Sequence, residues 1–130
     1  MGVANESRRC EVGEVGVRSD GILEYRYADG VEVDRAMASE MVALATELTV
    51  EPLPSLVHLG RVKGVRRDAR VFFAESEENR AVTSRVALLT SSPVGTIVGN
   101  MFLGLNKPLF PTRLFTSEDK AIAWLKATTV

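Results

Sequence analysis

The feature that most constrains this chain is a change of hydrophobic period partway along it. From Glu11 to Tyr27 apolar residues alternate with polar ones: Val12, Val15 and Val17, then Ile22, Leu23, Tyr25 and Tyr27. Ser19-Asp20-Gly21 breaks the run with a glycine-containing turn, so the segment reads as an antiparallel hairpin. After a second turn at Ala28-Asp29-Gly30 the spacing becomes helical. Asp34 is placed to cap a helix over about 34–49, with Met37, Met41, Leu44, Ala45 and Leu48 on one face. A chain that opens this way and then alternates must build a sheet with helices laid against it.

The remainder continues the alternation. Pro52 and Pro54 stop the first helix, and Ser55-Leu56-Val57-His58-Leu59 follows as a short run suited to a strand covered on both faces. Ala69, Phe72 and Phe73 recur on a helix over about 66–75, and Ser76 can cap a further turn through Arg80. Val86-Ala87-Leu88-Leu89 is the next buried strand. Ser92-Pro93 opens a third helix, Pro93 to Leu105, with proline at its first position. Thr112 to Phe115 is the last strand, and Thr116-Ser117-Glu118-Asp119 matches a helix-start pattern ahead of Ile122, Trp124 and Leu125. The predicted order is β-β-α-β-α-β-α-β-α, an α/β class with a single mostly parallel sheet that opens on a β-hairpin.

A length of 130 residues fits one domain, and the first eight residues read as a flexible polar tail before a domain over 9–130. The net charge of −1 gives no long-range attraction to nucleic acid or anionic membrane. Cys10 is the only cysteine, which leaves no internal disulfide and no cysteine-rich metal site. The opening residues lack the apolar core of a signal peptide, and no stretch reaches the roughly 18 apolar residues of a membrane span. A cytoplasmic protein is expected.

The element order resembles the SpoIIAA or STAS-like fold, which the lipid-binding CRAL-TRIO (Sec14-like) domains share. The segment from about Val65 to Leu125 is also similar to bacterial SpoIIAA-like proteins of unknown function, through SPVGTIVGNMFLGLNKPLFPTRLFTSEDKAIAWL. The resemblance implies a protein-binding module, switched in anti-sigma antagonists by phosphorylation of a serine at the start of the helix after the third strand. Here no serine or threonine lies between Gly60 and Glu75, so that switch does not carry over.

Five basic residues occupy the place instead: Arg61, Lys63, Arg66, Arg67 and Arg70. An anion at the helix start would be favoured by the dipole and by free backbone N–H groups. The plainer reading is a solvated basic face balanced by Glu75, Glu77 and Glu78. The third helix is the other unusual feature. It has no charged residue and carries Gly95, Gly99 and Gly104, at a cost of roughly 1 kcal/mol each in helix propensity relative to alanine. With Asn100, Phe102 and Leu103 it suggests either an apolar interface or lid, or a helix buried on two sides.

No catalytic motif is present: there is no G-x-S-x-G elbow, no phosphate-binding loop and no dinucleotide fingerprint. His58, the only histidine, has no second ligand for zinc and reads as a hydrogen-bonded residue at a strand end. Trp124 reads as a core anchor, and Tyr25 and Tyr27 as ordinary residues on one strand face. The sequence therefore points to a non-enzymatic module without a cofactor, binding a protein partner or a second copy of itself. The alternative is a carrier of a small apolar ligand or lipid, with residues 93–105 as lid.

Overall fold

The structure, a computed structural model, describes residues 6–60, 62–91 and 110–127. The described elements are β1 (Ser7–Cys10), β2 (Gly13–Val17), β3 (Leu23–Tyr27), β4 (Glu32–Val33), α1 (Arg35–Leu48), β5 (Leu53–His58), β6 (Gly64–Val65), α2 (Arg67–Glu75), α3 (Glu77–Val82), β7 (Thr83–Leu89), β8 (Thr112–Phe115) and α4 (Glu118–Lys126). Six strands form one sheet in the order β1-β2-β3-β5-β7-β8. The β1–β2 and β2–β3 pairs are antiparallel, while β3–β5, β5–β7 and β7–β8 are parallel. The α/β class and the opening hairpin are as the periodicity predicts.

Local chemistry sets the boundaries. Gly21 takes φ 83 at the hairpin turn, a left-handed conformation that a side chain resists, and Arg18 clasps Asp20 beside it at 3.1 and 3.2 Å. Asp34 accepts from the Met37 backbone N–H at 2.9 Å and starts α1, whose Ala38, Met41, Val42, Ala45 and Leu48 are buried. The buried stripe is turned slightly from the predicted one, for Met37 and Leu44 sit at its margin. Ser76 ends α2 and caps α3, accepting from the Asn79 N–H at 3.1 Å. The last helix starts one residue later than the four-residue pattern implies: the cap is Ser117, accepting from Lys120 N–H at 3.3 Å, and not Thr116.

Two differences from the sequence reading concern pairing. Ser7 and Arg8 belong to edge strand β1 and not to a tail, and Cys10 packs against the core. Arg8 fastens that edge to Glu6 at 3.0 Å and to Glu47 of α1 at 3.2 Å. A separate two-residue parallel pair, Glu32–Val33 with Gly64–Val65, ties the start of α1 to the start of α2.

Among the described residues the sheet separates two apolar clusters. Leu23, Tyr25 and Tyr27 face the larger one with α1, α2 and α3, while Ile22, Leu56 and Ala87 pack on Ala121 and Leu125 of α4. Strand β5 is covered on both faces, with Ser55 and Leu56 both buried. Trp124 is only partly buried: it packs at 5.6 Å on Phe115, and the Arg85 guanidinium lies 4.7 Å over its ring. Among the described residues no helix is long and apolar enough to cross a membrane.

Candidate binding cavity

A strand presents alternate side chains to each face, so Tyr25 and Tyr27 project from β3 into the larger core. Ser55 reaches the same space from β5, where it pairs with Leu23 two residues along from the Tyr25–Val57 pair. Val33 and Val65 of the short β4–β6 pair, Phe73 of α2, Val86 and Leu88 of β7, and Phe110 supply apolar walls. Between them lies a cavity of about 50 Å³.

The polar groups of this cavity fall into two sets. Asn79 and Thr83 are spent on each other and on the fold: Asn79 Nδ2 donates to the Phe73 carbonyl at 2.8 Å, and Thr83 Oγ1 donates to Asn79 Oδ1 at 2.9 Å. The hydroxyls of Tyr25, Tyr27 and Ser55 are buried and have no hydrogen-bond partner within the protein. These residues are 4%, 8% and 1% exposed. A buried hydroxyl without a partner costs about 1–3 kcal/mol, and native proteins rarely keep one without cause. Burial pushes both phenols above their ordinary range, Tyr27 also through its proximity to Tyr25 and Cys10, so both stay neutral. Among the described residues the lining carries no charged side chain.

The basic positions do not form one patch. Lys63, Arg66 and Arg67 are exposed, but Arg70 is only 9% exposed and donates to the Val65 carbonyl at 2.7 Å, which makes it part of the α2 packing. Arg66 stands at the α2 N-cap without a side-chain cap bond and lies 3.8 Å from Glu32. With Arg35, Arg67, Asp68 and Val71 it borders an open groove, separate from the cavity lining. Arg61 and the apolar positions Gly95, Gly99, Asn100, Phe102, Leu103 and Gly104 lie outside the described residues.

A second concavity opens where the parallel strands end, lined by Arg26, Asp29, His58, Thr90, Ser91 and Glu118 among others. His58 closes β5 as expected and meets Glu24 Oε2 at 2.7 Å. Among the described residues no group of three His, Cys, Asp or Glu side chains could hold a metal ion.

Sequence reasoning passed over the cavity hydroxyls. The available signal was a serine inside an otherwise apolar strand, together with two tyrosines at i and i+2 on the inward face. Each is a polar group whose partner must be accounted for.

A mixed sheet with three parallel neighbours at one side, an antiparallel hairpin at the other and helices on both faces is a SpoIIAA-like fold. The structure is similar to the crystal structure of an uncharacterized protein of the DUF3478 family with a SpoIIAA-like fold from Shewanella loihica PV-4. That likeness has TM-score 0.51 and 14% identity over 95% of this chain and 94% of the other. The chain belongs to the family defined by the domain of unknown function DUF7793, whose model matches residues 17–129. It is also similar, at 31% identity over 93% of its length and 98% of the other chain, to a protein of unknown function from Arthrobacter sp. FB24, with TM-score 0.33. No curated protein matches it.

Proposed function

We propose that this protein is a non-enzymatic binding module that takes a small, largely apolar molecule into the cavity between β3, β5, β7 and α2–α3. One observation carries the reading: three buried hydroxyls without partners line one apolar space. Mostly apolar walls with a few polar groups are the composition of a small-molecule site, here in a cavity of about 50 Å³ that admits only a small guest. Of the two roles that the STAS and CRAL-TRIO resemblance suggests, this favours ligand binding over partner switching. The only titratable lining groups among the described residues are the two tyrosines, which burial keeps neutral, so acid–base catalysis has no support there. Native mass spectrometry of the gently purified protein tests the reading. We expect a mass adduct that organic extraction removes. Adduct-free protein, with no thermal shift from any of a set of neutral small molecules, would overturn it.

A second reading is favoured by the groove that Arg35, Arg66 and Arg67 border. It is a surface for an acidic protein partner, for which exposed Lys63 adds charge. Identical partner profiles for wild type and Arg66→Glu/Arg67→Glu in a pull-down would remove it.

A further inference from the structure

This inference rests on the cavity being a ligand site and specifies what enters it. The hydrogen-bond inventory of the described lining leans toward donors. Asn79 has committed its carbonyl oxygen to Thr83 and an amide N–H to the Phe73 carbonyl. What remains open is three O–H groups, on Tyr25, Tyr27 and Ser55. A phenol is a stronger donor than acceptor, because its oxygen lone pair is drawn into the ring. The need these residues leave is therefore chiefly for acceptors, because the phenol oxygens accept weakly and the good side-chain acceptors left in the described lining are the Ser55 and Thr83 hydroxyl oxygens.

Charge is restricted as firmly. The described lining offers no lysine, arginine or histidine to a carboxylate and no carboxylate to an amine. A lone ion taken into such a space loses its hydration without compensation. The same burial that holds both phenols protonated would act against an anion beside them. The described arginines at the start of α2 stand elsewhere: Arg66 and Arg67 border the outer groove, and Arg70 is turned to the Val65 carbonyl.

We infer that the cavity selects an uncharged, compact molecule with an apolar body and a carbonyl or ether oxygen, which accepts from the Tyr25, Tyr27 and Ser55 hydroxyls. Neutral ketones, esters and lactones fit this chemistry. Fatty acids, amines and phosphorylated molecules do not.

The test compares three probes with one ring and different polar groups: cyclohexanone, methylcyclohexane and cyclohexanecarboxylate. Each is titrated into the full chain and followed by ¹H–¹⁵N NMR. Cyclohexanone should bind about tenfold more tightly than methylcyclohexane, the order of one or two net hydrogen bonds. Cyclohexanecarboxylate should leave the cavity residues unmoved at the same concentrations. In Tyr25→Phe/Tyr27→Phe the preference for the ketone should fall to about twofold while the hydrocarbon still binds. Equal affinity for ketone and hydrocarbon, or tightest binding by the carboxylate, overturns this inference and leaves the cavity reading in place. Binding by none of the three overturns both. If the double variant does not fold, the wild-type ranking decides.

Discussion

The imidazole Nε2 of His58 lies 2.7 Å from Oε2 of Glu24, a diagonal contact across the parallel β3–β5 pair on the face opposite the tyrosines. Arg26 reaches the same carboxylate oxygen at 2.9 Å and Arg18 approaches it at 4.0 Å. The His58 hydrogen bond is the main reason that the Glu24 carboxyl is held below its ordinary value of 4.5, with burial acting the other way and Arg26 adding to the depression. A carboxyl depressed on folding contributes stability above its unfolded pKa, and that contribution disappears as the pH falls through the lowered folded value. Glu24→Gln should therefore cost about 1 kcal/mol at pH 7, given its partial exposure. Urea denaturation at pH 7, 5 and 3 should show the difference from wild type shrinking toward zero at the lowest pH. A difference constant across the series would contradict the assignment.

If the cavity hydroxyls lack partners in the ligand-free protein, removing one should help the fold. Tyr25→Phe keeps the ring and its packing and is expected to raise the unfolding free energy by about 1 kcal/mol. Ligand affinity should fall at the same time, as happens when a binding site carries groups that the folded state alone does not need. Denaturant midpoints of ligand-free protein measure it. A loss of stability would mean that the phenol is already satisfied within the fold.

Two arginines four residues apart on the chain have opposite roles. Arg70 supplies a buried charged hydrogen bond to the Val65 carbonyl. Arg70→Ala should lose about 2 kcal/mol. Arg66, exposed and 3.8 Å from an exposed Glu32, should tolerate alanine within about 0.5 kcal/mol. Thermal denaturation of the two variants side by side reads the contrast.

Gly13 lies where β2 presses on β3 and α1. A Cβ there would collide with the Arg26 carbonyl oxygen and lie 2.9 Å from both Tyr27 Cα and Met41 Cε. Because two of the three neighbours are backbone, Gly13→Ala should cost about 2–3 kcal/mol. Gly16→Ala, whose nearest atom is Ser7 Cβ at 3.3 Å, should cost less. Equilibrium unfolding of both variants checks the order.

What the sequence revealed and what it hid divide along the range of the interaction. Asp34, Ser76 and His58 were legible because caps and strand ends are decided within a few residues, and the hairpin because Asp20-Gly21 interrupts a clean alternation. Strand β1 was not, since Ser-Arg-Arg-Cys has no apolar rhythm and is held by the β2 backbone and by the Arg8–Glu47 pair. The β4–β6 pair joins Glu32–Val33 to Gly64–Val65 through two residues each, too short to leave a pattern. Alternation placed Tyr25 and Tyr27 on one face but could not say whether their hydroxyls find partners. That depends on Ser55, on Asn79 and on Thr83, which Asn79 engages, and these arrive from separate elements. Likewise, charge counting grouped Arg70 with Arg66, and only the packing of α2 separates them.

The most direct measurement uses the fact that the chain has only two tyrosines, both in the cavity, and a single tryptophan, which packs with the opposite cluster. In protein labelled with ¹³C at the tyrosine ζ carbon, titration with cyclohexanone should move both resonances saturably with one dissociation constant. The Trp124 indole signal should stay fixed. Tyrosine resonances that remain in place while the ketone shifts other parts of the protein, or that drift without saturating, would contradict the claim that these hydroxyls are the heart of a binding site.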